Sequence, residues 1–338
     1  MIPYILFLII IFAYYHQENY KGMMVILTLF SVLRYNVGWD YSGYYELALS
    51  PESYHDYYRF SVFWKIILMF AYNHHCPTFA IWFPSLLICI STFWGIYLML
   101  NGDKKKICDA LIIYALWPFF YLSTFSTIRQ WLAISICLLI FASLKRKWYI
   151  FGGLLYLFNF FIHPSSLISI LVFPLFIWNC QLNIKTSFII VVVGILVFKA
   201  LSSIIALISL YGNYVESGAD FGGTLQYLLI MISLWLIYSM FISQIHAKSI
   251  PYIGVVAVSF FLEAAIYMMG LSSVVARSLS YFSILFIFVV MDSVRILSPK
   301  LTRMVLLLFA ALFIWYLNHS IEANATTGYI PYKTLIFR

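Results

Sequence analysis

The chain returns again and again to apolar runs long enough to cross or half-cross a bilayer, and each run is broken by only a few polar or basic residues. Candidate spans lie at about 2–15, 22–35, 79–100, 108–124, 127–144, 148–163, 165–179, 186–210, 224–243, 250–271, 276–296 and 302–318. Lipid offers no water to an unpaired N–H or C=O, so a segment of this kind must bond its own backbone, as a helix does. The pattern predicts an all-α polytopic membrane protein with about 12 transmembrane helices, forming a single integral membrane domain over residues 1–338. The charged fraction supports that reading, at 9% against the roughly one quarter usual for soluble domains. The 20% of aromatic residues provides interfacial anchors. Several spans fall short of the roughly 20 residues of a perpendicular helix, which predicts local thinning or half-buried segments. The first run lacks a basic leader and a small-residue cleavage site, and reads as a retained span rather than a signal peptide.

Lysine and arginine set the orientation. The loops Asp103-Lys104-Lys105-Lys106, Lys145-Arg146-Lys147 and Arg295 to Arg303 are basic, and Lys21, Lys185 and Lys248 mark three more short loops on the same side if the spans alternate. These are placed in the cytoplasm. The net charge of +8 then follows mostly from topology, with no call for a nucleic-acid partner. Cations on the outer side are mostly arginines: Arg34, Arg59, Arg129, Arg277 and Arg338. Arginine satisfies a topology rule no better than lysine, but its rigid fork matches phosphate oxygens. Residues 34–78 form an outer-face loop whose segment 60–72 reads as an interfacial or re-entrant helix, because both its flanks must lie outside. A true span with the N-terminal hairpin inverted is the competing reading. The five cysteines are scattered singly, which supports neither a disulfide framework nor a metal site. No P-loop, HExxH, GxSxG or DxD pair is present, and no cofactor is implied.

Four polar constellations lie at outer helix ends. Ser123 to Ala133 is read as the opening of a long helix. At roughly 100° per residue, Ser126, Arg129, Gln130, Ala133 and Cys137 share one face, while Ile128, Trp131 and Leu132 lie elsewhere. A charge in mid-bilayer costs about 2.5–3.5 kcal/mol, so Arg129 belongs at a surface or in a polar cavity. The stripe favours a cavity built around an anion. In the loop from Leu33 to Glu46, Arg34 caps a span, Gly38 permits a tight turn, Asp40 follows, and Tyr41, Tyr44 and Tyr45 can stack on sugars. An interfacial belt with a local Arg34–Asp40 pair explains the same residues equally well. His163 precedes a proline-led helix with Ser165 and Ser166, as either a capping histidine or a general base. Arg277, Ser280 and Tyr281 share a face at another outer helix start, preceded by the intramembrane carboxylate Glu263, whose plainer role is counter-ion to an arginine. Residues 327–333, aromatic and polar, could fold over the site as a lid.

Taken together, these residues resemble the EpsG family of Wzy-type exopolysaccharide, capsule and O-antigen polymerases. The resemblance rests on Arg34, Gly38, Asp40 and Tyr44; on Ile128-Arg129-Gln130 with Ala133; on His163-Pro164-Ser165-Ser166; and on Arg277 with Tyr281. It runs from about residue 30 to residue 285. Trp39 stands where a small or hydroxyl residue is common, and Ser166 where alanine is. The resemblance implies a GT-C-like fold and a multi-pass protein of the bacterial inner (cytoplasmic) membrane, with its active site on the periplasmic side. It implies a metal-independent glycosyltransferase. The growing glycan would pass from undecaprenyl diphosphate to the non-reducing end of a new lipid-linked repeat.

In that setting Arg129, Arg277 and Arg34 are expected to hold diphosphate. His163, or else Asp40, takes the proton of the attacking hydroxyl, with Glu263 a further carboxylate candidate. Gln130, Tyr44, Tyr281 and Ser166 are expected to contact substrate. The partners would be the undecaprenyl-diphosphate-linked oligosaccharide and membrane lipid, with a flippase and a chain-length regulator as further candidates. Two alternatives share many features: a transporter or flippase for lipid-linked glycans, and an O-antigen ligase. Transporters usually gather polar groups at the midplane, whereas here they gather at helix ends.

Overall fold

Prolines, caps and a few close approaches decide where the helices begin and end. The computed structural model describes residues 1–51, 60–178, 280–323 and 328–335, with isolated positions between 189 and 256. The chain divides into two compact units, residues 1–167 with 294–338, and residues 168–293.

The first unit opens with α1 (Ile2–His16) and α2 (Tyr20–Val32). The Asn19 side chain caps α2 by accepting the Gly22 N–H at 2.9 Å. A two-residue strand, β1 (Arg34–Tyr35), leads to α3 (Tyr41–Leu49) and α4 (Val62–Asn73). The expected helix over 60–72 is thus present. Its 12 residues rise only about 18 Å. Next come α5 (Phe79–Met99) and α6 (Lys104–Leu116), whose Asp103 cap accepts the Lys106 N–H at 3.1 Å. The expected span 108–124 is displaced: the helix begins at Lys104 and stops at Leu116, because Trp117 is extended ahead of Pro118.

A four-residue turn of helix, α7 (Ser123–Ser126), precedes α8 (Ile128–Lys145), with Thr127 breaking the two apart at φ −97°, ψ 61°. After α9 (Tyr149–Ile162), His163 is extended and Pro164 opens a 3-10 helix (Pro164–Val172) that leads to the short α10 (Phe173–Ile177). The expected span 165–179 is therefore two pieces, divided near Pro174.

The core of this unit is α8, buried along nearly its whole length and packed between α5 and α9. A Cβ on Gly95 of α5 would come within 2.8 Å of Leu138 Cγ, so the absence of a side chain there lets the two helices close up. On the α9 side, Asn159 is fully buried and its Nδ2 donates to Ala133 O at 3.0 Å and to Cys137 Sγ at 3.1 Å. These bonds satisfy the amide N–H groups, as lipid could not, while Oδ1 has no partner among the described residues.

Two further helices follow, α11 (Phe286–Ile296) and α12 (Pro299–Ala323), the latter packed on α6. The chain then folds back. Its strand β2 (Lys333–Thr334) pairs antiparallel with β1, Arg34 opposite Thr334 and Tyr35 opposite Lys333. The Leu335 N–H extends the pairing to Leu33 O at 2.8 Å. In the second unit the residues from Tyr281 to Met291 are buried in an apolar helical stretch.

The basic loops collect at one end of the first unit. Lys145 Nζ donates to Met99 O at 3.2 Å, and Arg146 donates to Leu98 O and Asn101 Oδ1. Arg295 lies near enough to lower the pKa of Asp103, after the larger effect of the Lys106 N–H bond. Among the described residues, α5, α8 and Pro299–Asn318 are long and apolar enough to cross a membrane, and six shorter apolar helices accompany them. This is an α-helical membrane protein. Much of the 186–271 region, where further spans are expected, lies outside the described residues.

Candidate functional site

At the end of the first unit opposite the basic loops, three segments distant in sequence meet at the start of α8. The loop before α3 docks first. Gly38 has φ +102°, and a Cβ there would stand 2.1 Å from Phe125 O, so only glycine lets this backbone lie against α7. The next residue, Trp39, donates its N–H to Ser126 Oγ at 3.1 Å. Asp40 then takes the N-cap position of α3, partly exposed. This fixes α3 relative to α8 and brings Tyr44 over Arg129.

Arg129 Nε donates to Tyr44 Oη at 2.9 Å, and its Cζ lies 4.2 Å from the centre of the Phe60 ring. Phe60 and Trp64 flank Tyr44, with ring centres 6.2 Å and 5.6 Å away. The guanidinium is partly exposed within an aromatic cradle, a setting that weakens its hydration while holding its plane. Burial pushes the Tyr44 phenol up to about 12; the Arg129 charge opposes this and the Asp40 charge adds to it. Tyr44 therefore keeps its proton at neutral pH. Its oxygen accepts from Arg129, which leaves the O–H as a donor.

The third segment is the turn after α9. Ser61 Oγ donates to Ile162 O at 3.1 Å, tying the residue beside Phe60 to the backbone just before His163. His163 is partly exposed, and its Nδ1 is 2.6 Å from Ser165 Oγ. When Ser165 accepts from Nδ1–H, the lone pair for proton transfer sits on Nε2. Gln130 is partly exposed on the first turn of α8. Asp40, Tyr44, Arg129, Gln130 and His163 thus belong to one end of one unit.

Other expected residues fall elsewhere. Arg34 is 1% exposed; its Nη1 donates to Ser31 O, to Ser31 Oγ at 3.2 Å and to Ser85 Oγ at 2.9 Å, and its Cζ lies 4.6 Å from the Phe125 ring. Its guanidinium, expected to hold diphosphate, faces the interior between α2, α5 and α7, with Nε and Nη2 unpartnered among the described residues. Ser166 is fully buried, so it does not line an open surface as a sugar contact would. Tyr281 is buried in the second unit. Arg277 and Glu263 lie outside the described residues.

The polar stripe also differs from expectation. Ser126 is not on α8, because the break at Thr127 separates it from the helix. Farther along, Ala133 and Cys137 are met by Asn159 of α9 rather than by an anion.

Other residues carry little signal in the sequence. Phe60 and Ser61 read only as the edge of an apolar helix. Asp109, a buried carboxylate on α6, accepts from Tyr15 Oη at 2.9 Å, near the basic end. An acid inside an apolar run was the signal for it. Among the described residues no group of three or more His, Cys, Asp or Glu could hold a metal ion.

The first unit thus presents a helical membrane architecture with a cationic, aromatic cluster at one end. The chain belongs to the EpsG family, whose family model matches residues 20–334. That membership makes it an exopolysaccharide-related membrane protein, in a family associated with polymerases of the glycosyltransferase type. No curated protein and no solved structure gives a significant match.

Proposed function

We propose that this protein is a polysaccharide polymerase that transfers a growing glycan from undecaprenyl diphosphate to the non-reducing end of a new lipid-linked repeat, on the periplasmic face of the bacterial inner membrane. The observation that carries the proposal is the Arg129–Tyr44 pair over Phe60, beside the His163 turn, in a chain of this family. The sugar C1–O bond to the diphosphate breaks and the diphosphate leaves with the electron pair. Arg129 and the Tyr44 hydroxyl meet the charge that builds there, and fixed donors of this kind stabilise the transition state more than the ground state. The acceptor hydroxyl oxygen bonds to C1, and its proton passes to His163 Nε2. Asp40 is the second candidate for that proton. Gln130 is a proposed sugar contact, while Arg277, as second diphosphate ligand, and Glu263, as carboxylate candidate, keep the roles that the family resemblance implies. For Arg34, buried with Nε and Nη2 unpartnered among the described residues, the diphosphate role stays a proposal.

The test is elongation of a purified undecaprenyl-diphosphate-linked repeat by the purified protein. Wild type is expected to give a ladder of products; Arg129→Ala and His163→Ala, correctly inserted, are expected to give none. Full-length polymer from Arg129→Ala would refute the assignment. The cellular product separates this reading from a flippase. Loss of a polymerase leaves single repeats displayed outside, and loss of a flippase displays none.

A further inference from the structure

Residues 328–335 anchor a late segment of the chain to the first unit: Tyr329 is buried, while Pro331 and Lys333 stay exposed. Tyr329 is 1% exposed; its backbone oxygen accepts from Tyr4 Oη on α1, and its ring lies 5.8 Å from that of Tyr316 on α12. Its hydroxyl is 2.8 Å from Ser126 Oγ. Three residues on, Tyr332 stacks on Phe30 with ring centres 4.1 Å apart and planes 14° apart, and donates its hydroxyl to Phe30 O. Strand β2 then pairs with β1.

Ser126 is the junction. Its Oγ accepts the Trp39 N–H and shares a second hydrogen bond with Tyr329 Oη, in which either hydroxyl can donate. One side of that junction leads through Asp40 into α3 and Tyr44; the other leads through Thr127 into α8 and Arg129. The Arg129–Tyr44 hydrogen bond closes the ring. A hydroxyl free to rotate would hold the Trp39 N–H less well. The Tyr329 hydroxyl fixes the rotor.

We propose that Tyr329, acting through Ser126, is a positioning residue that sets the approach of Tyr44 to Arg129, so that the segment 328–335 is part of the site's machinery although it contacts no reacting atom. The proposal rests on the polymerase reading for its effect on turnover and on the hydrogen-bond geometry alone for its effect on local order. Tyr329→Phe keeps the ring and removes the hydroxyl. It is expected to lower kcat by roughly tenfold with KM little changed, as a lost buried hydrogen bond of about 1.4 kcal/mol would. Ser126→Ala is expected to act similarly and Ser126→Thr to restore activity. The double variant Tyr329→Phe with Ser126→Ala should be no worse than the poorer single, because both remove one chain of bonds.

Hydrogen exchange at residues 36–44 and 126–130 supplies a second readout. It should accelerate in Tyr329→Phe and in Ser126→Ala. If wild type elongates glycan, Arg129→Ala does not, and Tyr329→Phe matches wild type in both kcat and exchange, the positioning role is wrong and the polymerase reading stands. Additive losses in the double variant, or no rescue by Ser126→Thr, also overturn it. If wild type itself elongates nothing, the polymerase reading fails. Exchange then decides alone: acceleration upholds the positioning role and an unchanged pattern refutes it.

Discussion

A guanidinium and a phenol do different work at the Arg129 site. Arg129→Lys keeps the charge but loses the planar fork and the stacking on Phe60. It is expected to reduce elongation at least tenfold in the purified assay, close to the effect of Arg129→Ala. Near-normal turnover by the lysine variant would reduce the role of Arg129 to simple charge. Tyr44→Phe removes the acceptor of the Arg129 Nε–H and one donor to the ligand, at a cost of about 1–2 kcal/mol or roughly tenfold in rate. Because the phenol pKa is raised to about 12, its protonated form is favoured across the neutral range. The shape of the pH–rate profile is therefore expected to be the same in Tyr44→Phe as in wild type, lowered but not shifted. Gly38→Ala tests the backbone. A Cβ at 2.1 Å from a main-chain oxygen, with φ +102°, forces the loop off α7, and a loss of about 2 kcal/mol or more is expected in thermal unfolding in detergent.

The elements show what the sequence could and could not tell. Apolar runs and basic loops gave the helices α1, α2, α5, α8 and α9 within a few residues, because length and periodicity dominate there. The short polar signatures around Gly38, Arg129 and His163 pointed to one end of the bundle, where the structure gathers them. Helix breaks at Trp117, Thr127 and Pro174 were harder to read, since each depends on one residue's backbone angles inside an apolar stretch. Burial was illegible for Arg34. The wheel predicts a face, but only the neighbouring elements decide whether that face meets ligand, lipid or another helix. The same holds for the α8 stripe, which Asn159 occupies. Asn159→Leu is expected to cost about 1–3 kcal/mol, mostly by stranding the α8–α9 contact, and to loosen the His163 turn. Gly95→Val on α5 presses against Leu138 of α8, with a similar expected loss from overpacking. Both are measured as shifts of the unfolding midpoint.

At the scale of the molecule, the basic loops and the proposed site occupy opposite ends of the first unit. A membrane-impermeant thiol reagent applied to intact spheroplasts should label a cysteine placed at the exposed Gly43 or Glu46, and should not label one at Lys104 or Lys147 until the membrane is opened. The reverse pattern would put the site in the cytoplasm and exclude a periplasmic polymerase. The pairing of Arg34 with Thr334 has a consequence for biogenesis. Membrane proteins are threaded into the bilayer in order of synthesis, so the hairpin of α1 and α2 waits, inserted but unfinished, while every later helix is laid down. Maturation ends with a stitch between early and late segments of one polypeptide. A translation product stopped after α12 but before Tyr329 would lack this pairing altogether.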